Sequence, residues 1–405
     1  MKTFKLNNGM SIVLRSAGSK NTSVCLTVKV GHLNEPKLGI ANLLEKTLLL
    51  QCNGVIPAFG GTMTAYTASG SDLDAIVARV AKILDGTIIN DEFLSKAKAI
   101  IVKQTHDISP LAMRRAKLEY KHRAYGSDLV KTTEEYIDAI NSYTVDEVRE
   151  FANAYYTGAN MVLVVAGRGF GVNEAKQLVE KYFGDVAPGK IISFCESNIY
   201  TGGAGRIDVE GSTVRLMFGW DLFGMSDAPT CNVLMSMFLR RLERAYAEAG
   251  YSDVSVDLKI AGYYGLRTMR VFVMSQSVDA KTLTDVFVKA LNRICDTNAS
   301  DYRMERSRNA AMAEKLNKYD ASDDCALEVA WQLIGRGQVE SCADSIYSIW
   351  ETSADDVRCL ACDIFRGSRL TYILAQSAEK DAYSYAEVMQ AIGLENLLKE
   401  NEKNA

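Results

Sequence analysis

A chain of 405 residues that is 48% hydrophobic and 24% charged has room for two cores and the balance of an ordinary soluble globular protein. Its formal net charge of −4 gives no basic surplus for a nucleic-acid partner, and no run of about eighteen apolar residues marks a membrane span. Nine cysteines form an odd, scattered set that reads as reduced thiols. The first residues, Met1 to Gly9, lack the apolar core of a signal peptide, so the expected location is the cytoplasm.

In chain order, alternating apolar residues predict strands at 3–6, 11–15 and 23–30, the first two joined at Asn7-Asn8-Gly9, a strong hairpin turn. Ile40, Leu43, Leu44 and Leu48 follow a 3.6-residue period and predict a buried helix. Asn42, Glu45 and Lys46 share one face of it at i, i+3 and i+4. A polar trio on an apolar helix is unfavourable unless it is paired or lines a cavity. With imidazoles at the first and third places this would be H-x-x-E-H, in which two histidines bind Zn²⁺ and the Glu acts as general base. Lys⁺ has no free lone pair for a metal and Asn is a poor zinc ligand, so the frame is present without its ligands.

A short strand follows Gly60-Gly61, then helices over about 72–85, from Asn90 towards Thr105, and over 109–125. Thr144-Val-Asp-Glu147 is a capping-box start for a helix through Tyr156, followed by an apolar strand at 161–166 and a helix near 174–183. Residues 188–205 carry the weakest pattern and end in Gly202-Gly-Ala-Gly205, which predicts a linker over 191–205. The pattern then restarts with a strand at 213–219, a helix at 230–247, strands at 254–260 and 268–273, and helices from about 280 to 334.

The two halves match internally. Residues 144–167 align without a gap on 353–376, with Asp146/Asp355, Val148/Val357, Arg149/Arg358, Ala152/Ala361, Gly158/Gly367 and Ala166/Ala375 identical. Each copy reads as a capped helix, a turn with Gly and an apolar strand. The expectation is an α+β protein of two similar sandwich domains, 1–190 and 206–405.

On these features the chain resembles the insulinase/pitrilysin family, in its short two-domain branch of processing peptidases. The resemblance rests on the Asn42-to-Lys46 helix, on Tyr156-Thr-Gly-Ala-Asn-Met-Val-Leu-Val-Val-Ala-Gly167, on Val179-Glu-Lys-Tyr-Phe-Gly184 and on the segment from Leu242 to Ser252. It implies the metallopeptidase-like LuxS/processing-peptidase fold, and a third zinc ligand on a second helix, where Ile100-Ile-Val-Lys-Gln104 places Gln104. It implies a strand that pairs with the substrate backbone, beside which this chain skips a strand between Ser69 and Asp74. Thr64 stands where the family often has Asn. It further implies an Arg and a Tyr seven residues apart that contact substrate, matched by Arg244 and Tyr251. Together these imply a non-catalytic subunit with no zinc of its own, paired with a homologous chain that carries an intact zinc helix and acting on a peptide, for instance a leader peptide. A non-enzymatic scaffold of the same fold is the alternative.

Other features have plainer readings. Arg240, Arg241 and Glu243, and likewise Arg303, Glu305, Arg306 and Arg308, read as solvated helix faces. His32, His106 and His122 read as structural or exposed, Cys359 and Cys362 as packing, and Gly167-Arg-Gly-Phe-Gly171 as a strand-to-helix turn rather than a phosphate loop.

Overall fold

The computed structural model describes residues 1–108, 111–126, 131–168, 170–192, 200–222, 229–263, 266–378 and 380–394. The first elements are β1 (Lys2–Lys5), β2 (Ser11–Ser16), β3 (Thr22–Val28), α1 (Ile40–Leu49), β4 (Ile56–Phe59), β5 (Thr64–Gly70), α2 (Leu73–Ala81) and α3 (Asp91–Ile108). They are followed by α4 (Ala112–Tyr125), α5 (Thr133–Ser142), α6 (Val145–Tyr155), β6 (Met161–Gly167) and α7 (Val172–Phe183). The later elements are β7 (Gly203–Asp208), β8 (Val214–Asp221), α8 (Pro229–Glu248), β9 (Ser255–Tyr263), β10 (Leu266–Ser275), α9 (Ala280–Asp296) and α10 (Asp301–Asp320). The described chain closes with α11 (Ser322–Arg336), α12 (Cys342–Glu351), α13 (Ala354–Phe365), β11 (Leu370–Gln376) and α14 (Tyr385–Ile392).

The chain forms two compact α+β units. The first contains a six-stranded sheet in the order β1-β2-β6-β3-β5-β4, with β6 parallel to β2 and antiparallel to β3. Along its strands the side chains alternate between two cores, as the pleat requires. Ile12, Leu14, Val24, Leu26, Leu163 and Val165 join α1, α2, α6 and α7 in the larger one. Val13, Cys25, Ala65, Val162 and Val164 face the other way and are covered by Ala326, Val329 and Ala330 of α11.

The second unit repeats the plan with five strands in the order β7-β11-β8-β10-β9, β11 being parallel to β7 and antiparallel to β8. Phe218, Trp220, Met269, Val271 and Leu374 enter a core with α8, α9, α13 and α14. Met217, Phe272, Ile373 and Ala375 face Ala116, Tyr120 and Ala124 of α4. The aligned repeat is therefore structural: β6 and β11 hold equivalent central places, each entered from a helix with a reciprocal capping box, Thr144 with Glu147 and Ser353 with Asp356.

The compact units depart from the expected boundaries at 190 and 206. The first comprises Met1–Asp107, Thr132–Cys195 and Glu314–Cys342; the second comprises Ile108–Lys131, Glu196–Ala313 and Ala343–Ala405. Each sheet is buried on both faces, and the helix over its second face comes from the opposite half of the sequence. A long apolar strand such as Met161–Gly167 needs that second cover, because an uncovered face would leave its odd-numbered or its even-numbered residues in water. Part of the expected linker, residues 193–199, lies outside the described residues, and its final glycine run instead opens β7. The residue pattern also missed β4, α5, α12 and α14. No helix among the described residues is long and apolar enough to cross a membrane.

Candidate functional site

α1 begins at Gly39, whose φ of 80° suits glycine, and a Cβ there would come within 2.9 Å of both Tyr136 and Ile140. The helix has no side-chain cap from its own N-cap residue. Glu35 serves instead: Oε1 accepts from the Gly39 amide at 2.6 Å and Oε2 from the Ala41 amide at 2.9 Å. Burial outweighs these bonds and pushes the Glu35 carboxyl up to about 7. Sequence reasoning passed over Glu35; an acid just ahead of a helix that starts on Gly was the available signal.

The trio on α1 is accounted for within the protein. Asn42 Nδ2 donates to the Tyr136 hydroxyl at 2.6 Å. Glu45 is 1% exposed, and the Lys46 ammonium lies 3.4 Å from each of its oxygens. The bond to Oε1 is long, and Oε2 has no hydrogen-bond partner. Burial raises the Glu45 carboxyl above its ordinary range, opposed by the Lys46 charge. Behind it Tyr66 and Tyr156 share a 2.7 Å hydroxyl–hydroxyl bond, and both phenols are held high, first by burial and in part by the Glu45 charge. Thr64, at the place of the family's Asn, donates to the Val30 carbonyl at 2.7 Å and is fully buried.

Gln104 is exposed on α3 and, among the described residues, makes no hydrogen bond to the trio. Glu45 and Lys46 meet each other instead, the ammonium being the carboxylate's partner. These residues do not fit zinc. An ammonium stands beside Glu45, the Asn42 amide nitrogen is committed to Tyr136, and Gln104 is turned to solvent. Among the described residues, no cluster of three His, Cys, Asp or Glu side chains could hold a metal ion.

Arg244 and Tyr251 belong to the second unit. Arg244, near the end of α8, is exposed, and its Nε bonds Glu248 Oε1 at 2.6 Å. Tyr251 is half-buried against the core of that unit, its amide donating to the Tyr246 carbonyl at 3.0 Å. Arg244 lines a cavity of about 1150 Å³ formed by α8, α9 and α10; Tyr251 does not line it. Arg303 and Arg306, read from the sequence as a wet helix face, line the same cavity. His106 is exposed and His32 lies 5.9 Å from the Phe59 ring. Cys362 donates to the Cys295 carbonyl at 3.3 Å, whereas Cys359 is exposed rather than packed. Gly169, inside the rejected phosphate loop, lies outside the described residues.

Residues 142–311 match the family described as the peptidase M16 inactive domain. Subunit 2 of the mitochondrial cytochrome b-c1 complex of Schizosaccharomyces pombe is 22% identical over 223 residues, 49% of this chain and 50% of the relative. The chain thus spans about half the length of the curated relative it matches. In fold it is similar to a chain of complex III2 from Candida albicans with Inz-5 bound, with a TM-score of 0.80, 14% identity and 96% and 99% of the two chains covered. It is similar also to a protease from Helicobacter pylori, with a TM-score of 0.77, 15% identity and coverage of 92% and 98%. A third likeness is to an M16-like peptidase from Alicyclobacillus acidocaldarius, with a TM-score of 0.72, 18% identity and coverage of 93% and 98%. The family match is confined to residues 142–311, while the fold is shared with these structures over nearly the whole chain.

Proposed function

We propose that this degenerate M16-like chain is the non-catalytic subunit of a two-chain zinc metallopeptidase, holding peptide for a homologous partner that carries an intact H-x-x-E-H helix. The observation that carries the reading is the Lys46 ammonium 3.4 Å from both oxygens of buried Glu45. A general base neutralised by its neighbour, on a helix stripped of ligands, leaves this chain no hydrolytic step of its own. Its contribution is then binding and positioning. Arg244 is the group for a substrate carbonyl or carboxylate, to which a guanidinium presents a planar fork of donors. Tyr251 is the donor to a developing oxyanion.

Tyr251→Phe removes only that donor. In the assembled pair, turnover of a peptide substrate is expected to fall about tenfold or more, with KM little changed and the thermal midpoint of this chain unaltered. Unchanged turnover would remove Tyr251 from the mechanism.

The match to a b-c1 complex subunit favours a second reading, a structural member of a larger assembly with no part in peptide chemistry. The two part on one result: the scaffold assembles with its partner and leaves that partner's peptidase activity unchanged, whereas the positioning subunit is required for it.

A further inference from the structure

The cavity between α8, α9 and α10 is cationic out of proportion to the molecule. The whole chain carries a net −4, yet this cavity is lined by seven basic side chains, Lys289 among them, against two carboxylates. Glu248, one of the two, is already bonded to Arg244 at 2.6 Å. Arg240 Nη1 donates to the Arg306 carbonyl at 3.1 Å. Among the described residues, Arg241, Arg293 and Arg303 form no ion pair, although each lines the cavity.

Arg241 is the most demanding of them. Its Nη1 is buried without a hydrogen-bond partner. An unpaired buried guanidinium nitrogen carries a desolvation penalty that native folds seldom leave uncompensated. Burial lowers the Arg241 guanidinium to about 10, and the charges of Arg303 and Arg293 push it the same way. Three like charges have thus been gathered from three helices around one space, whose lining carries only Glu243 and the already bonded Glu248 as acids.

We propose that this cavity binds a small molecule bearing two or more phosphate groups, its oxygens taken by Arg241, Arg293 and Arg303. Charge decides between oxyanions. One carboxylate brings a single negative charge, whereas a phosphate brings nearly two and three acceptor oxygens that guanidinium forks match. Size argues for more than one such group, because a space of about 1150 Å³ is far larger than a lone phosphate. The exposed ring of Tyr302, also on the lining, offers a flat apolar surface for an organic remainder of the ligand. This site lies wholly within the second unit and does not depend on the peptide-positioning reading.

The test is calorimetric titration of the full chain with inorganic pyrophosphate, ADP and citrate at constant ionic strength, each repeated on Arg241→Met, Arg303→Gln and the remote control Lys96→Gln. Pyrophosphate or ADP should bind, with citrate at least tenfold weaker, and both arginine variants should weaken binding tenfold or more while the control does not. ADP binding that Tyr302→Ala weakens, with pyrophosphate unaffected, would identify a nucleotide-like ester; pyrophosphate binding alone would identify a free polyphosphate. Because Arg241→Met removes an uncompensated charge, its unliganded thermal midpoint should rise rather than fall. No binding, equal binding of citrate, or affinity unchanged in both arginine variants would overturn the proposal. So would a lowered midpoint in Arg241→Met with affinity retained.

Discussion

At the scale of single residues, the telling pair is Glu45 and Lys46. Glu45 is almost fully buried while Lys46 keeps about a third of its side chain in water. The pair is therefore asymmetric: the carboxylate depends on the ammonium, and the ammonium has solvent as a second partner. Lys46→Met should destabilise the protein by about 3 kcal/mol at neutral pH, the usual consequence of stranding a buried charge. Glu45→Gln should be close to neutral, and the double variant should recover most of the loss, all read by urea unfolding. Equal losses in both single variants would contradict the asymmetry. Glu35 makes a pH prediction. Its carboxyl, ordinarily near 4.5, is raised to about 7 by burial, so the folded state holds a proton that the unfolded chain has released. Stability then falls as pH rises from about 4.5 to 7 and levels off above, by up to about 3 kcal/mol. Glu35→Gln should remove that slope, leaving the variant relatively more stable at pH 8 than at pH 5. The spacing of Asn42, Glu45 and Lys46 was readable because helix geometry is local. The bond from Asn42 to Tyr136 was not, because it links residues 94 apart in sequence.

At the scale of elements, two helices do what the sequence could not announce. α11 closes the second face of the six-stranded sheet, its N-terminal turn fastened by Ser322 to Ser23 at 2.6 Å and by Asp323, which accepts from both Ser23 and Ser69. Asp323→Ala should lower stability by about 1–2 kcal/mol, and hydrogen exchange should rise at α11 and β3 before the rest of the unit. Uniform exchange across the chain would count against this anchoring role. α4 plays the same part for the five-stranded sheet, burying Tyr120 fully with the Arg270 guanidinium 4.6 Å from its ring centre. Helices with capping boxes or strong periodicity, such as α6, α7 and α9, were legible, as were most strands through their alternation. β4 was not: it is four residues long, at the sheet edge, with Ile56 exposed, so no buried pattern marks it. α5 was missed although Thr132 and Glu135 form a capping box, because its apolar stripe is nearly reduced to Ile140. The solvated face assigned to Arg303 and Arg306 is in fact the wall of a cavity, a distinction that needs the neighbouring helices.

At the scale of the whole molecule, the internal repeat made two similar folds readable from sequence, while the exchange of covering helices was invisible to it. Pairing of an element with a distant sheet leaves no local periodicity, only an apolar face without a stated destination. The exchange predicts that residues 1–190 expressed alone will not unfold cooperatively, since Val13, Cys25, Val162 and Val164 lose their cover. Supplying residues 314–342 as a separate segment should restore a cooperative transition; a cooperative, monomeric 1–190 would contradict the exchanged arrangement. The proposed function would likewise divide parts between chains, with a helix lacking zinc ligands here and an intact one in the proposed partner. The most direct test is zinc content and peptidase activity of the purified chain, alone and mixed with a homologous chain bearing H-x-x-E-H. The account predicts a chain free of zinc and inert by itself, yet required for the partner's full activity. Stoichiometric zinc with activity in the chain alone would contradict it.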